Sequence, residues 1–204
     1  MGASAAMART STRVRCASFD EMPRALAVIV AAFVSDPVAR FAWPSAERYL
    51  QSMQSAVKEF AGASFAHGTA DVAEDFSGTA LWLPPGVEAD GEAVEKVFRS
   101  TAEPGHLDDA LKTFEKMGQS HPPEPHWYLP LIGVDPRAQG NGVGSDLMRH
   151  GLARVDERKG LAYLETGNPR NIPLYERFGF EVMGEIQVGA APVVTPMLRR
   201  PRRA

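Results

Sequence analysis

Leu131-Ile132-Gly133-Val134-Asp135-Pro136-Arg137-Ala138-Gln139-Gly140-Asn141-Gly142-Val143-Gly144 passes from an apolar run, through a polar glycine-rich turn, into a stretch with helical spacing. That order has a chemical consequence. The first turn of a helix presents N–H groups that lack internal acceptors, and the helix dipole places partial positive charge there, so an approaching diphosphate finds donors already aimed. Gly140, Gly142 and Gly144 remove side chains that would hold such a group away. Two other phosphate loops do not fit. A P-loop needs Gly-Lys followed by Ser or Thr, and this turn has no lysine; the dinucleotide fingerprint needs a glycine where Ser145 stands. A purely structural glycine turn is the other reading of the segment taken alone.

Working outward, Leu147, Met148, Leu152 and Val155 share one helical face, and Gly160 ends that helix. A strand over 162–166 follows, then the turn Asn168-Pro169-Arg170, a short helix over 172–178 stopped by Gly179, and strands over 180–186 and 193–198. Upstream, 127–134 is the most strand-like run in the chain. Pro130 interrupts it, which predicts an edge or a disturbed ladder. Toward the N-terminus the pattern predicts a short strand at Val14, a helix capped by Asp20 with Leu26, Ile29, Val30 and Phe33 on one face, and a stop at Asp36-Pro37. A helix over 46–61 carries the stripe Tyr49, Met53, Val57 and Phe60. A hairpin of strands 69–73 and 79–83 turns at Asp75-Phe76-Ser77-Gly78. Residues 88–120 read as two helices broken at Pro104-Gly105, and Pro122-Pro123-Glu124-Pro125 as a stiff connector. The expected architecture is α/β (α+β), a twisted mixed sheet flanked by helices.

The glycine turn acquires a second meaning from its context. Gln139-Gly140-Asn141-Gly142-Val143-Gly144 resembles the Gln/Arg-x-x-Gly-x-Gly/Ala acetyl-CoA motif of the GNAT N-acetyltransferases, and Leu174-Tyr175-Glu176-Arg177-Phe178-Gly179-Phe180 resembles their second signature, with Asn168 seven residues before the tyrosine. The similarity is strong over 127–182 and weaker but traceable from Val14 onward. Within the family, Leu164-Glu165-Thr166, Pro169-Arg170-Asn171 and the segment from Pro173 to Arg177 are most similar to puromycin N-acetyltransferase-like members. The resemblance implies a GNAT-like sheet of six to seven strands. It also implies a single acetyltransferase domain over 13–199, after a disordered lead-in at 1–12 and before a basic tail at 200–204.

It further implies how acetyl-CoA is held. The pantetheine arm pairs with the backbone of Ile132, Gly133 and Val134. Arg137, Gln139, Gly140, Asn141, Gly142, Val143, Gly144 and Ser145 form the diphosphate turn. The partner strand ends at Thr166, and Asn168, Asn171 and Tyr175 line the other side; the spacing of Asn168 to Tyr175 favours a cofactor contact over a turn former, and Asn171 reads as a cofactor contact or a helix cap. Tyr175 is the expected proton donor to the departing thiolate, because a phenol and a thiol have comparable basicity. The base is less defined. Many family members carry a glutamate where this chain has His126, Trp127, Tyr128 and Leu129, which leaves His126, Glu165 or a water chain to collect the amine's proton.

The remaining bounds are compositional. A chain of 204 residues, 44% hydrophobic, has the size for one substantial core. Its net charge of -3, with both signs intermixed, argues against a nucleic-acid surface. One cysteine, Cys16, allows no internal disulfide and no cysteine-built metal centre, and suits a cytoplasmic setting; it reads as a small packed hydrophobe. The apolar run from Leu26 to Val34 is too short to cross a membrane. Arg199-Arg200-Pro201-Arg202-Arg203 reads as a frayed basic end, and Trp43, Trp82, Phe41 and Tyr49 as core aromatics or as the wall of an acceptor pocket. The expected partner is a small-molecule amine, with peptide acetylation or acyl-CoA binding without turnover as alternatives. The chain is expected to be a monomer or homodimer, with no metal.

Overall fold

The computed structural model describes residues 11–201, so most of the expected lead-in and the end of the tail lie outside it. The chain order is β1 (Val14–Cys16), α1 (Met22–Ala32), α2 (Pro37–Ala42), α3 (Ala46–Ala61), α4 (Ala63–Ala66), β2 (Ala70–Ala73), β3 (Gly78–Leu83), α5 (Gly91–Thr101), α6 (Leu107–Gln119), β4 (His126–Val134), α7 (Val143–Glu157), β5 (Leu161–Thr166), α8 (Ile172–Arg177), β6 (Glu181–Val182) and β7 (Thr195–Arg199). The seven strands form one sheet in the order β1-β2-β3-β4-β5-β7-β6. Every neighbouring pair is antiparallel except β4 and β5.

Alternation along the strands assigns a core to each face. Val72, Leu81 and Leu131 pack with α1 and α3, whereas Ala80, Trp82, Trp127, Leu129 and Leu164 pack with α7 and α8. Pro130 explains a change of phase within β4. Leu131 lies opposite Leu81 and Tyr128 opposite Leu83, so residues 129 and 130 together face Trp82 in a bulge. Before the bulge the odd residues Trp127 and Leu129 face α7; after it the even residues Ile132 and Val134 do. Helix α7 comes close to β3 because Gly151 has no Cβ, which would collide with the Trp82 indole.

Several local readings need correction. Asp20 does not cap the first helix: Phe19–Glu21 is a 3-10 turn, and Glu21 reaches back to accept from the Ser18 N–H at 2.9 Å, the reciprocal arrangement of a capping box. Asp36-Pro37 is a start as well as a stop. The Asp36 carboxylate accepts from the Val38 and Ala39 N–H groups at 3.0 Å and so caps α2, a short helix absent from the expected order of elements. The strand expected over 180–186 shrinks to β6 plus one bridge, Ile186 to Val194, because β7 inserts between β5 and β6. Cys16 is exposed rather than packed. Arg199 belongs to no frayed end: it is 2% exposed, donates to the Phe178 carbonyl at 2.8 Å and pairs with Asp156 at 2.7 Å. Ser11 and Thr12, counted with the lead-in, are held by the Asp146 carboxylate at 3.2 and 2.9 Å.

Candidate active site

The site begins where the parallel pair fails. His126, Trp127 and Tyr128 pair with Leu161, Ala162 and Tyr163, and beyond them β4 stays with β3 while β5 stays with β7 out to Thr166 opposite Thr195. The two middle strands therefore part like a wedge. A backbone leaving its ladder loses partners for N–H and C=O groups, and a ligand can replace them. Glu165 shows the effect: its side chain is 2% exposed while the residue as a whole is half-buried, so it is main chain that faces the opening.

The mouth of the wedge is the glycine turn. Asp135 accepts from the Arg137 N–H at 2.8 Å and starts a 3-10 turn over Pro136–Ala138, and Gln139 Nε2 donates to the Val134 carbonyl at 3.2 Å. Gly140 and Gly142 have φ of 79° and 82°, left-handed values that a side chain makes costly. Gly142 is the N-cap of α7. The first recorded bond closing that helix runs from the Asp146 N–H to the Gly142 carbonyl at 3.1 Å, so the Val143, Gly144 and Ser145 amides precede the intrahelical ladder. Arg170 and Arg177, which no sequence motif marks as cofactor residues, line the same cleft. Main-chain donors with two guanidinium groups suit a diphosphate.

This cleft has a volume of about 560 Å³. Among the expected cofactor residues, Ile132, Gly133, Val134, Gln139, Gly140, Gly142, Val143, Gly144, Ser145, Thr166, Asn168, Asn171 and Tyr175 line it. Arg137 and Asn141 are exposed and do not line it. Asn168 serves its own turn by accepting from the Arg170 N–H at 3.1 Å, whereas Asn171 makes no side-chain cap bond to α8.

Tyr175 is 5% exposed on α8, with its ring edge-on to Phe180. Burial pushes its phenol well above the usual range, and the Asp36 charge adds to this, so the hydroxyl stays protonated. Asp36 is itself raised by burial against the opposing effect of the Ala39 and Val38 amides.

A second cavity, of about 140 Å³, meets the cleft at Phe33, Asp36, Pro130, Glu165 and Gly167. Its walls are apolar side chains from α2, α3, α5 and α6, among them Phe41, Trp43, Val57, Phe98 and Phe114. Trp82 and Tyr49 are core residues and stay out of it. Glu165 thus borders both spaces. Its Oε1 is buried without a hydrogen-bond partner and lies 3.5 Å from His121 Nε2. His126 borders neither space; it contacts His121 and faces a separate cavity. His121 was not singled out in the sequence, where only its position beside a proline-rich connector marks it.

No helix among the described residues is long and apolar enough to cross a membrane. Comparison with known proteins places this geometry. An uncharacterized N-acetyltransferase of Schizosaccharomyces pombe is 26% identical over 178 residues, covering 77% of this chain and 69% of that protein. A mycothiol acetyltransferase of Salinispora arenicola is 43% identical over 54 residues, only 24% of this chain and 18% of that protein. A solved structure of a histone acetyltransferase HPA2-related acetyltransferase from Corynebacterium glutamicum superposes with a TM-score of 0.68 at 26% identity, over 96% of this chain and 99% of that one. The acetyltransferase (GNAT) family model matches residues 50–180, from within α3 through the split strands and the glycine turn to the end of α8 and just beyond, and the chain belongs to that family of acetyltransferase enzymes.

Proposed function

We propose that this enzyme moves the acetyl group of acetyl-CoA to the primary amine of a compact, largely apolar small molecule. GNAT acetyltransferases use acetyl-CoA in general, and the fit here rests on the forked main chain, the three N–H groups at the start of α7 and the guanidinium groups of Arg170 and Arg177. The observation that carries the acceptor class is the small apolar cavity opening onto the cleft at Glu165. Its volume of about 140 Å³ matches, to order of magnitude, cavities of ~150 Å³ that enclose benzene. One ring or a short branched alkyl group fills it. An aminonucleoside of the kind the puromycin-like similarity implies would leave most of its body outside.

The two carboxylates at the junction, Asp36 and Glu165, favour a cationic ammonium arriving there. Attack requires the neutral amine. The ammonium first gives one proton through Glu165 to water; the nitrogen then bonds to the thioester carbonyl carbon and gives a second proton to Glu165, the carbon–sulfur bond breaks, and Tyr175 gives its hydroxyl proton to the thiolate and recovers one from water. Thiol release should be followed with phenethylamine, hexylamine, spermidine and a lysine peptide. We expect the first two to have the highest kcat/KM, and a preference for the peptide or the polyamine would overturn the acceptor class. Tyr175→Phe should lower kcat about 100-fold or more with acetyl-CoA affinity within about twofold. An unchanged kcat would remove Tyr175 from the chemistry.

A further inference from the structure

We infer that His121 and His126 form a proton-exit route leading from Glu165 to a cavity on the far side of the acceptor site. The inference rests on the acetyl-transfer reading above and assigns roles to two residues on the connector between α6 and β4 and at the start of β4.

The hydrogen-bond directions can be fixed from one end. The Glu124 carbonyl can only accept, so the His126 Nδ1 at 2.8 Å carries a proton. In the neutral ring His126 Nε2 is then an acceptor, and the His121 Nδ1 at 3.0 Å must donate to it. That leaves the His121 Nε2 as a lone pair facing Glu165 Oε1 at 3.5 Å, a buried oxygen with no hydrogen-bond partner. Two acceptors aimed at each other define a place for one proton, the one an attacking amine must lose.

The aromatic surroundings hold the rings in this line. His121 packs against Tyr128 and Tyr163 at centroid distances of 4.5 Å, and His126 against Tyr163 at 5.8 Å. The titratable groups facing the pair are Glu165 and Tyr163 from β5, Tyr128 from β4, Glu124 from the connector, and Glu88 across the cavity. Both phenols are raised, first by burial, then by the Glu165 charge and by donating toward its carboxylate, so they stay neutral, help hold Glu165 in place and do not compete as bases. Burial lowers His126, which suits a ring that must give its proton up. The cavity beyond, about 530 Å³, is bounded by loop 86–89 and connector 122–125 and is lined by both histidines.

The proton balance closes. The amine nitrogen gives one proton to Glu165 as its bond to the carbonyl carbon forms. Glu165 passes a proton to His121 Nε2, His121 releases its Nδ1 proton to His126 Nε2, and His126 releases one to water. The thiolate's proton comes from Tyr175, whose phenolate then recovers one from water, and an acceptor that arrives as the ammonium loses its first proton by the same route before attack, so that one proton is released overall. Neither histidine touches the substrate; both act through Glu165.

The test measures acetyl transfer by wild type, His121→Gln and His126→Gln from about pH 6 to 9, in weak buffer, with and without added imidazole. We expect kcat to fall about tenfold or more in each variant, with KM for both substrates within about twofold, a flattened acid limb of the pH profile, and recovery as imidazole rises. Wild-type rates in both variants, or a loss that imidazole does not repair, would overturn the route. Ring-nitrogen NMR of the wild-type protein without substrate decides the matter independently of turnover. Linked titration of the two histidines, displaced in Glu165→Gln, supports the route; independent titrations unmoved by Glu165→Gln overturn it. If wild type transfers acetyl to no amine, the acetyl-transfer reading fails, while the NMR result still stands for or against the relay.

Discussion

The two halves of the site are made of different material. The cleft between β4 and β5 is walled largely by main chain and by residues from one stretch, 129–145, with a second stretch, 165–177, closing it. The apolar cavity beside it is walled by side chains from α2, α3, α5 and α6, which lie up to about eighty positions apart in the chain. A ligand held by N–H groups depends on backbone geometry and tolerates many side chains. A ligand held in an apolar cavity depends on volume, and each methyl group counts.

The sharpest way to break this contrast is at Gly142. A φ of 82° is outside the comfortable range of a β-branched residue, so Gly142→Val should cost about 1–2 kcal/mol of stability as well as weaken acetyl-CoA binding, by about tenfold or more. Gly142→Asn separates the two effects, because asparagine tolerates the left-handed region. We expect its Tm near wild type and its acetyl-CoA affinity still reduced in titration calorimetry. Full affinity in both variants would mean that the turn does not hold the diphosphate.

The same contrast accounts for what could be read from the sequence. Strand, glycine turn and helix are contiguous, so residues 131–147 announced the wedge's mouth without any knowledge of the rest of the fold. Asp36-Pro37 was ambiguous for a local reason: aspartate before proline ends one helix and begins the next with the same two residues, and only the packing of α2 beside Gly167 decides. The length of β6 was set by the insertion of β7, which lies beyond it in the chain. His121 had no local signature beyond the proline-rich connector that follows it. Its partners are His126 five positions on and Glu165, brought near by the parallel pairing of His126 with Leu161. The volume of the apolar cavity was equally hidden, since Phe41, Trp43, Phe98 and Phe114 show ordinary core spacing until α2, α5 and α6 are docked.

On the acceptor side, Ala110 of α6 is 7% exposed and borders the apolar cavity. Ala110→Leu would fill part of a space of about 140 Å³. We expect the KM of a single-ring amine to rise about fivefold, acetyl-CoA affinity to stay within about twofold, and overpacking to cost about 1–3 kcal/mol. Equal losses for both substrates would show that the two halves are not separable.

Gly144 gives the smallest expected effect and the finest test of the main-chain account. A Cβ there meets Val134 Cγ2 at 3.6 Å and Leu174 Cδ2 at 3.8 Å, ordinary contacts, and φ is not left-handed. Alanine at this first-turn position should therefore raise stability slightly, by up to about 1 kcal/mol, through its better helix propensity. The new methyl group points toward β4 and α8 and leaves the N–H directions unchanged, so acetyl-CoA affinity should fall by less than about threefold, well below the loss at Gly142. A loss at Gly144→Ala as large as at Gly142→Val would place the diphosphate against the Val134 and Leu174 side of the turn, shifting the grip from the cap of α7 into its body.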